Sequence, residues 1–156
     1  MIEPGFPERA SAIRRAAARL CLRLGWAPLH EVSLPNGRRA DILALRPDGC
    51  FACIEVKSGP RDFLTDLKWQ DYRECADELF FAVDTDFPRA LLPAEAGLIV
   101  AAGLEAELLR DAPQHPLTSA RRRAMLHRFA ALAAGRLANL EDPGGIADIR
   151  AALRVE

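Results

Sequence analysis

Apolar residues recur along the chain at two spacings, and those spacings lay out its elements. From Pro7 to Leu24 they fall at helical intervals, with Ile13, Ala17, Leu20 and Leu24 on one stripe and arginines elsewhere. This pattern predicts an amphipathic helix that stops at Gly25. Trp26 to Leu34 then reads as a strand, and Pro35-Asn36-Gly37 as a turn. Arg38 to Leu45 and Cys50 to Lys57 are predicted as second and third strands, joined through Arg46-Pro47-Asp48-Gly49, a sequence suited to a type I turn. Ser58-Gly59-Pro60 breaks the third strand, and Asp62 is placed as the N-cap of a helix from about Phe63 to Asp77. Leu79 to Val83 is continuously apolar, as in the centre of a buried sheet. Two further short strands are predicted at Gly97 to Ala101 and Ala106 to Arg110. A long helix capped by Thr118 runs to about Leu140 and ends at Asp142-Pro-Gly-Gly145, after which Ile146, Ile149 and Leu153 point to a short terminal helix. This order defines an α/β class.

At 156 residues the chain suits one domain spanning 1–156, with a core over about 7–112 and a helical extension over about 117–156. Half the residues are hydrophobic and 28% are charged, the balance of a folded, soluble protein. The net charge of -1 does not advertise nucleic-acid binding, but an acidic site and a basic groove can cancel in the sum. No basic segment leads into an apolar one at the N-terminus, so a secretory signal is not expected. The longest apolar runs, such as Gly97 to Leu104, are too short to span a bilayer. The expectation is a cytoplasmic protein without a membrane partner. Cys50 and Cys53 have zinc-knuckle spacing, but no second Cys/His pair accompanies them, and buried free thiols are the simpler reading. Of the 21 basic residues only Lys57 and Lys68 are lysines, which suggests that these positions want a compact ammonium.

Folding the second and third strands about the Pro47-Asp48 turn, with one bulged residue, brings Asp41 opposite Glu55, with Lys57 two residues on and on the same face. Directly opposed side chains lie ~4.5–5.5 Å apart at Cβ, so two carboxylates there repel unless something compensates. A bound cation is the obvious compensation, and oxygen ligands suit Mg²⁺ or Mn²⁺. Such an ion can acidify water and polarise a phosphoryl oxygen, while Lys57 stabilises developing negative charge. On these residues alone, an exposed Glu55–Lys57 pair at a sheet edge is an equal alternative, worth less than ~1 kcal/mol.

Ala40-Asp41, followed fourteen residues after the aspartate by Glu55-Val56-Lys57 across a hairpin, resembles the PD-(D/E)XK nuclease superfamily, whose core runs α-β-β-β-α-β. A closer likeness covers most of the chain. Glu31 to Asp41, Ile54 to Lys68, Trp69 to Tyr72, Phe80-Phe81-Ala82-Val83, Gly97-Leu-Ile-Val and the Ala120-Arg-Arg-Arg run resemble the MmcB-like bacterial DNA repair family. The resemblance implies a PD-(D/E)XK (restriction-endonuclease-like) fold and a role in DNA repair. It further implies Asp41 and Glu55 as metal ligands, the Val56 carbonyl as a third, and Lys57 as the catalytic lysine. Ala40 stands where the superfamily has proline, a departure that removes no functional group.

The same resemblance makes Glu31 a candidate third acid, and Lys68 and Tyr72 candidates to complete the site from one face of the following helix. Arg38 and Arg39 alternate across the strand leading to Asp41, so one at most is expected to face the site and meet a phosphate. Arg121, Arg122, Arg123 and Arg128 offer a basic helix face that could track a DNA backbone. Asp62 and Asp66 read as helix-cap and first-turn charges. The leading expectation is a metal-dependent DNA repair (endo)nuclease. The alternatives are a catalytically silent DNA-binding or scaffold protein of a repair complex, with possible protein partners, and an RNA-processing nuclease. A homodimer through the C-terminal helix is conceivable.

Overall fold

The N-terminal apolar stripe forms helix α1 (Phe6–Arg23), which the left-handed Gly25 terminates (φ 75°). Strands β1 (Ala27–Ser33), β2 (Arg39–Leu45) and β3 (Phe51–Val56) follow as an antiparallel meander. A short helix α2 (Pro60–Thr65) and a 3₁₀ helix (Trp69–Glu74) cross over to β4 (Glu78–Asp84), which runs parallel to β3. Strand β5 (Gly97–Ala102) is parallel to β4, and β6 (Glu105–Arg110) returns antiparallel. The result is a six-stranded mixed sheet in sequential order, flanked by helices, in a computed structural model that describes residues 5–66 and 68–154.

Alternation along the strands decides what each face of the sheet buries. Ile42, Ala44, Ala52, Ile54, Phe80, Ala82, Ile99 and Ala101 form one core with Ile13, Ala16, Ala17, Leu20 and Cys21 of α1. Alanines on both partners let helix and sheet approach closely, and Trp26 closes one end against Phe80 at 5.8 Å between ring centroids. On the opposite face Phe81 takes edge-on contacts from Phe63 (5.5 Å) and Trp69 (5.8 Å). The crossover between β3 and β4 thus covers the face on which Glu55 lies.

The beginning of β3 is anchored by a buried carboxylate. Asp77 accepts hydrogen bonds from the Phe51 N–H (2.7 Å) and the Leu117 N–H (2.9 Å). Beside it the buried Glu78 pairs with Arg46, whose guanidinium stacks on Trp26 at 4.9 Å. These contacts hold the strand at the end away from Glu55.

One expected element is corrected. The sequence pattern predicts a single helix from Phe63 to Asp77 capped by Asp62, a span that includes position 67, outside the described residues. Instead α2 starts at Pro60 behind Gly59, with Asp62 in its first turn accepting from the Ser58 N–H (3.2 Å). The helix ends before Asp66, whose ψ of 85° leaves the helical region, and a 3₁₀ helix takes over at Trp69. The break coincides with Asp66, whose carboxylate accepts from Lys57 Nζ at 2.8 Å.

Two compact units are distinguished, Met1–Leu117 and Thr118–Glu156. In the second, α3 (Ser119–Glu141) is capped by the Thr118 hydroxyl, which accepts from the Arg121 N–H. Asp142 ends that helix and caps α4 (Pro143–Leu153) by accepting from the Gly145 N–H. Among the described residues no helix is long and apolar enough to cross a membrane.

Gly97 opens β5 where Phe80 leaves no space, because a Cβ there would lie 2.3 Å from the Phe80 ring. Overpacking of this kind costs about 1–3 kcal/mol. Gly97→Ala is expected to lose stability of that order in urea denaturation, and a variant as stable as the wild type would show that the ring moves aside freely.

Candidate functional site

The β2–β3 register runs from Leu45↔Phe51 to Ile42↔Ile54, and one step further it sets Asp41 opposite Glu55. At that step side chains take over from the main-chain ladder. The Val56 N–H donates to Asp41 Oδ2 (2.8 Å), and the Asp41 N–H donates to Glu55 Oε1 (3.2 Å). Each carboxylate is thereby fixed by the backbone of the neighbouring strand, while β3 continues on its other side through the Lys57 N–H to the Ala82 carbonyl (2.9 Å). Glu55 and Lys57 are almost fully buried, at 4% and 5% exposure.

Burial governs the electrostatics, and at Glu55 the charge of Asp41 adds to it. Desolvation, followed by the charge of Asp41, pushes the Glu55 carboxyl up to about 8, although the Asp41 N–H, Lys57 and the Tyr72 hydroxyl draw it back. Desolvation also raises Asp41, opposed by the Val56 N–H and by Lys57. Tyr72 is raised by burial and by the Glu55 charge, and its hydroxyl also donates to the Arg39 carbonyl (3.5 Å). The Cys53 thiol, 3.8 Å from Glu55 Oε1, is likewise raised by burial and these acids. Lys57 donates to Asp66 Oδ2 at 2.8 Å, with the two side chains 6% and 14% exposed. Burial pushes Asp66 up, but the hydrogen bond and charge of Lys57 outweigh it and hold the carboxyl below its ordinary value.

Asp41, Glu55, Lys57 and Tyr72 line the floor of a cleft of about 670 Å³. Pro7, Ala10, Ser11 and Arg14 of α1 line one side, and Asp62, Thr65 and Asp66 line another. Glu31 also lines it. Its strand position is opposite Asp41 on the side away from Glu55, its φ is 49°, and Oε1 meets Arg14 at 2.9 Å. That backbone conformation is unusual for a residue with a side chain and costs of order 1–3 kcal/mol, a cost that clusters at functional sites.

The remaining sequence candidates divide. Val56 and Tyr72 line the cleft, whereas Lys68 is exposed and is not among the lining residues. The helix expected to put Lys68 and Tyr72 on one face is interrupted before Lys68. Arg38 and Arg39 both line the cleft, contrary to the expectation that one at most would. Strand alternation does not apply to them, because Arg38 precedes β2 and reaches across to the Lys68 carbonyl (3.2 Å) and Asp71 (3.4 Å). Arg121 and Arg122 lie on α3, in the other compact unit. Asp66, like Arg14 and Asp62, lines the cleft although the sequence pattern does not assign it to the site. Its one signal was the rarity of lysine, since a buried ammonium at position 57 needs an acid nearby.

Among the described residues no group of three or more Asp, Glu, His or Cys side chains gathers closely enough to hold a metal by protein ligands alone. A buried Glu55 facing a half-buried Asp41 nevertheless fits a hard divalent cation, because Mg²⁺ is usually held by one or two carboxylates and keeps several waters.

The raised Glu55 carboxyl has a consequence for stability without metal. In the fold it holds its proton over a range in which the unfolded chain has released it. Stability from this group is therefore full below its ordinary value of 4.5 and is lost as pH rises towards about 8. In chelator, the Tm of the wild type is expected to fall across that window, whereas Glu55→Gln flattens the fall. Parallel curves for the two proteins would contradict the assignment.

The family model described as DNA repair protein MmcB-like matches residues 1–144. A solved structure, the SPO1766 protein of unknown function from Silicibacter pomeroyi, is similar with a TM-score of 0.84 at 40% sequence identity, covering 92% of this chain and 97% of that one. No curated protein matches. With most of its length matched by the family model, the chain belongs to the MmcB-like DNA repair protein family.

Proposed function

We propose that the chain is a DNA repair nuclease of PD-(D/E)XK type that hydrolyses phosphodiester bonds with the help of Mg²⁺ or Mn²⁺. The observation that carries this reading is the opposition of Asp41 and Glu55 across β2 and β3 at the floor of a cleft, with the buried Lys57 two residues on. The order of helix, three-stranded meander, crossover helix and parallel strand supports the same superfamily. Membership of a DNA repair family supports DNA as the substrate class.

Asp41 and Glu55 would hold the cation, with the Val56 carbonyl as a further ligand. When bound, the cation supplies positive charge to the phosphoryl oxygens and acidifies water. The chain supplies order. Main-chain N–H groups clamp one oxygen of each carboxylate, so little reorganisation is needed when substrate arrives. Tyr72 steadies Glu55, and Lys57 stabilises negative charge as it builds on the phosphate. Arg39 is exposed at the cleft and suited to contact the nucleic-acid backbone, whereas the Arg38 guanidinium is engaged with Asp71 and the Lys68 carbonyl.

The test is a cleavage screen with Mg²⁺ and Mn²⁺ on single-stranded, duplex, flapped and branched DNA, with matching RNA in parallel. Glu55→Ala and Lys57→Ala are each expected to lose on the order of 100-fold or more in kcat, as when a charge-stabilising group is removed. Failure to cut any of these substrates overturns the enzyme reading. DNA binding insensitive to chelator and to Glu55→Ala would then identify a binding module. Faster cleavage of the matching RNA would identify an RNA-processing enzyme.

Arg39→Ala is expected to weaken DNA binding and to reduce the salt slope of log K by about one, the signature of one lost phosphate contact. Anisotropy titrations across a salt series check this, and an unchanged slope places Arg39 off the DNA path.

A further inference from the structure

Lys57 is a flexible ammonium buried within reach of two carboxylates that already repel each other. Its charge acts on both Asp41 and Glu55. Left to that attraction, a long four-carbon stem with three donors would settle onto the acidic pair and occupy the place of a cation. In the structure it does not. Nζ instead donates to Asp66 Oδ2 at 2.8 Å.

Asp66 is held for this contact from its other side. Its Oδ1 accepts from the Lys68 N–H (3.3 Å) and lies 3.8 Å from the Arg38 guanidinium. The backbone leaves the helical region at Asp66, which places the carboxylate in the cleft wall. A surface ion pair needs neither a broken helix nor burial of both partners. Here both occur, since α2 ends at Thr65 and the side chains of Lys57 and Asp66 are only 6% and 14% exposed.

We propose that Asp66 is the positioning residue of Lys57, holding its ammonium beside Asp41 and Glu55 and off the position a divalent cation would take. Its consequence for catalysis rests on the nuclease reading above, but the restraint itself can be observed without metal or DNA.

Lys57 and Lys68 are the only lysines, so the protein labelled with ¹⁵N-lysine carries two side-chain ammonium groups. In the metal-free wild type the buried Lys57 signal is expected to be protected from exchange with water, unlike that of the exposed Lys68. Asp66→Asn should shift the Lys57 signal, whereas Asp71→Asn, which removes a partner of Arg38 and not of Lys57, should leave it in place. An unmoved Lys57 signal in folded Asp66→Asn overturns the proposal.

Calorimetric Mg²⁺ and Mn²⁺ titrations give the second readout. Asp66→Asn is expected to weaken cation binding on the order of tenfold, as when a residue supporting a ligand set is lost. The double variant Asp66→Asn with Lys57→Met should regain that affinity, and Asp66→Glu should stay near the wild type. Undiminished affinity in Asp66→Asn, or no recovery in the double variant, overturns the proposal.

On whichever DNA the wild type cuts, Asp66→Asn should lower kcat with little change in KM. Absence of both cation binding and cleavage in the wild type overturns the nuclease reading instead, and the Lys57 signal then decides alone whether Asp66 restrains the lysine.

Discussion

Two carboxylates facing each other across antiparallel strands, Glu55 buried and Asp41 half-buried, are an unfavourable contact that the rest of this fold is arranged to sustain. Asp41 and Glu55 stand one step beyond the last main-chain pair of β2 and β3, where the two strands exchange side-chain-to-backbone hydrogen bonds. Those bonds draw both carboxyls towards ionisation, while burial pushes both the other way, and at Glu55 burial together with the Asp41 charge raises the carboxyl to about 8. The arrangement persists because the sheet beneath it is strong. Alanine-rich packing of α1 on one face and aromatic contacts to Phe81 on the other hold the strands wherever the local electrostatics lie.

Around that pair the charges alternate in sign. Lys57 follows the acids, Asp66 follows Lys57, and the Arg38 guanidinium lies between Asp66 and Asp71. Such a chain lets each buried charge see an opposite one, which is the condition under which ionised groups survive out of water. α2 ends at the residue that answers Lys57. On the far side of Asp41, Glu31 adopts a left-handed backbone and is tied to Arg14, so α1, β1 and β2 all contribute to one cleft.

The family assignment gives this cleft a setting in DNA repair. The similar solved structure spans nearly the whole of both chains, so the likeness is not confined to the hairpin. A chain with a net charge of -1 can still meet a polyanion if its acids sit at the floor of a cleft and arginines line the same cleft.

Much of this was legible in the residues themselves. Two short strands, Arg38 to Leu45 and Cys50 to Lys57, largely apolar on both faces and joined by a turn sequence, were enough to pair and bring Asp41 to Glu55, because register in a short hairpin follows from the turn. The stripe of Ile13, Ala17 and Leu20 similarly announced the helix that covers the sheet. The single helix that spacing predicts over residues 63–77 does not form, because propensity and spacing see only neighbours in sequence, whereas Asp66, where α2 ends, meets a partner nine residues back. For the same reason Arg38 and Arg39 were assigned by alternation alone. Their positions are decided by contacts with the crossover segment, more than twenty residues further on. Local pattern thus determined the sheet and its acidic pair, while long-range charge pairing, which depends on distances that only the folded chain sets, decided where the lysine points and what holds it.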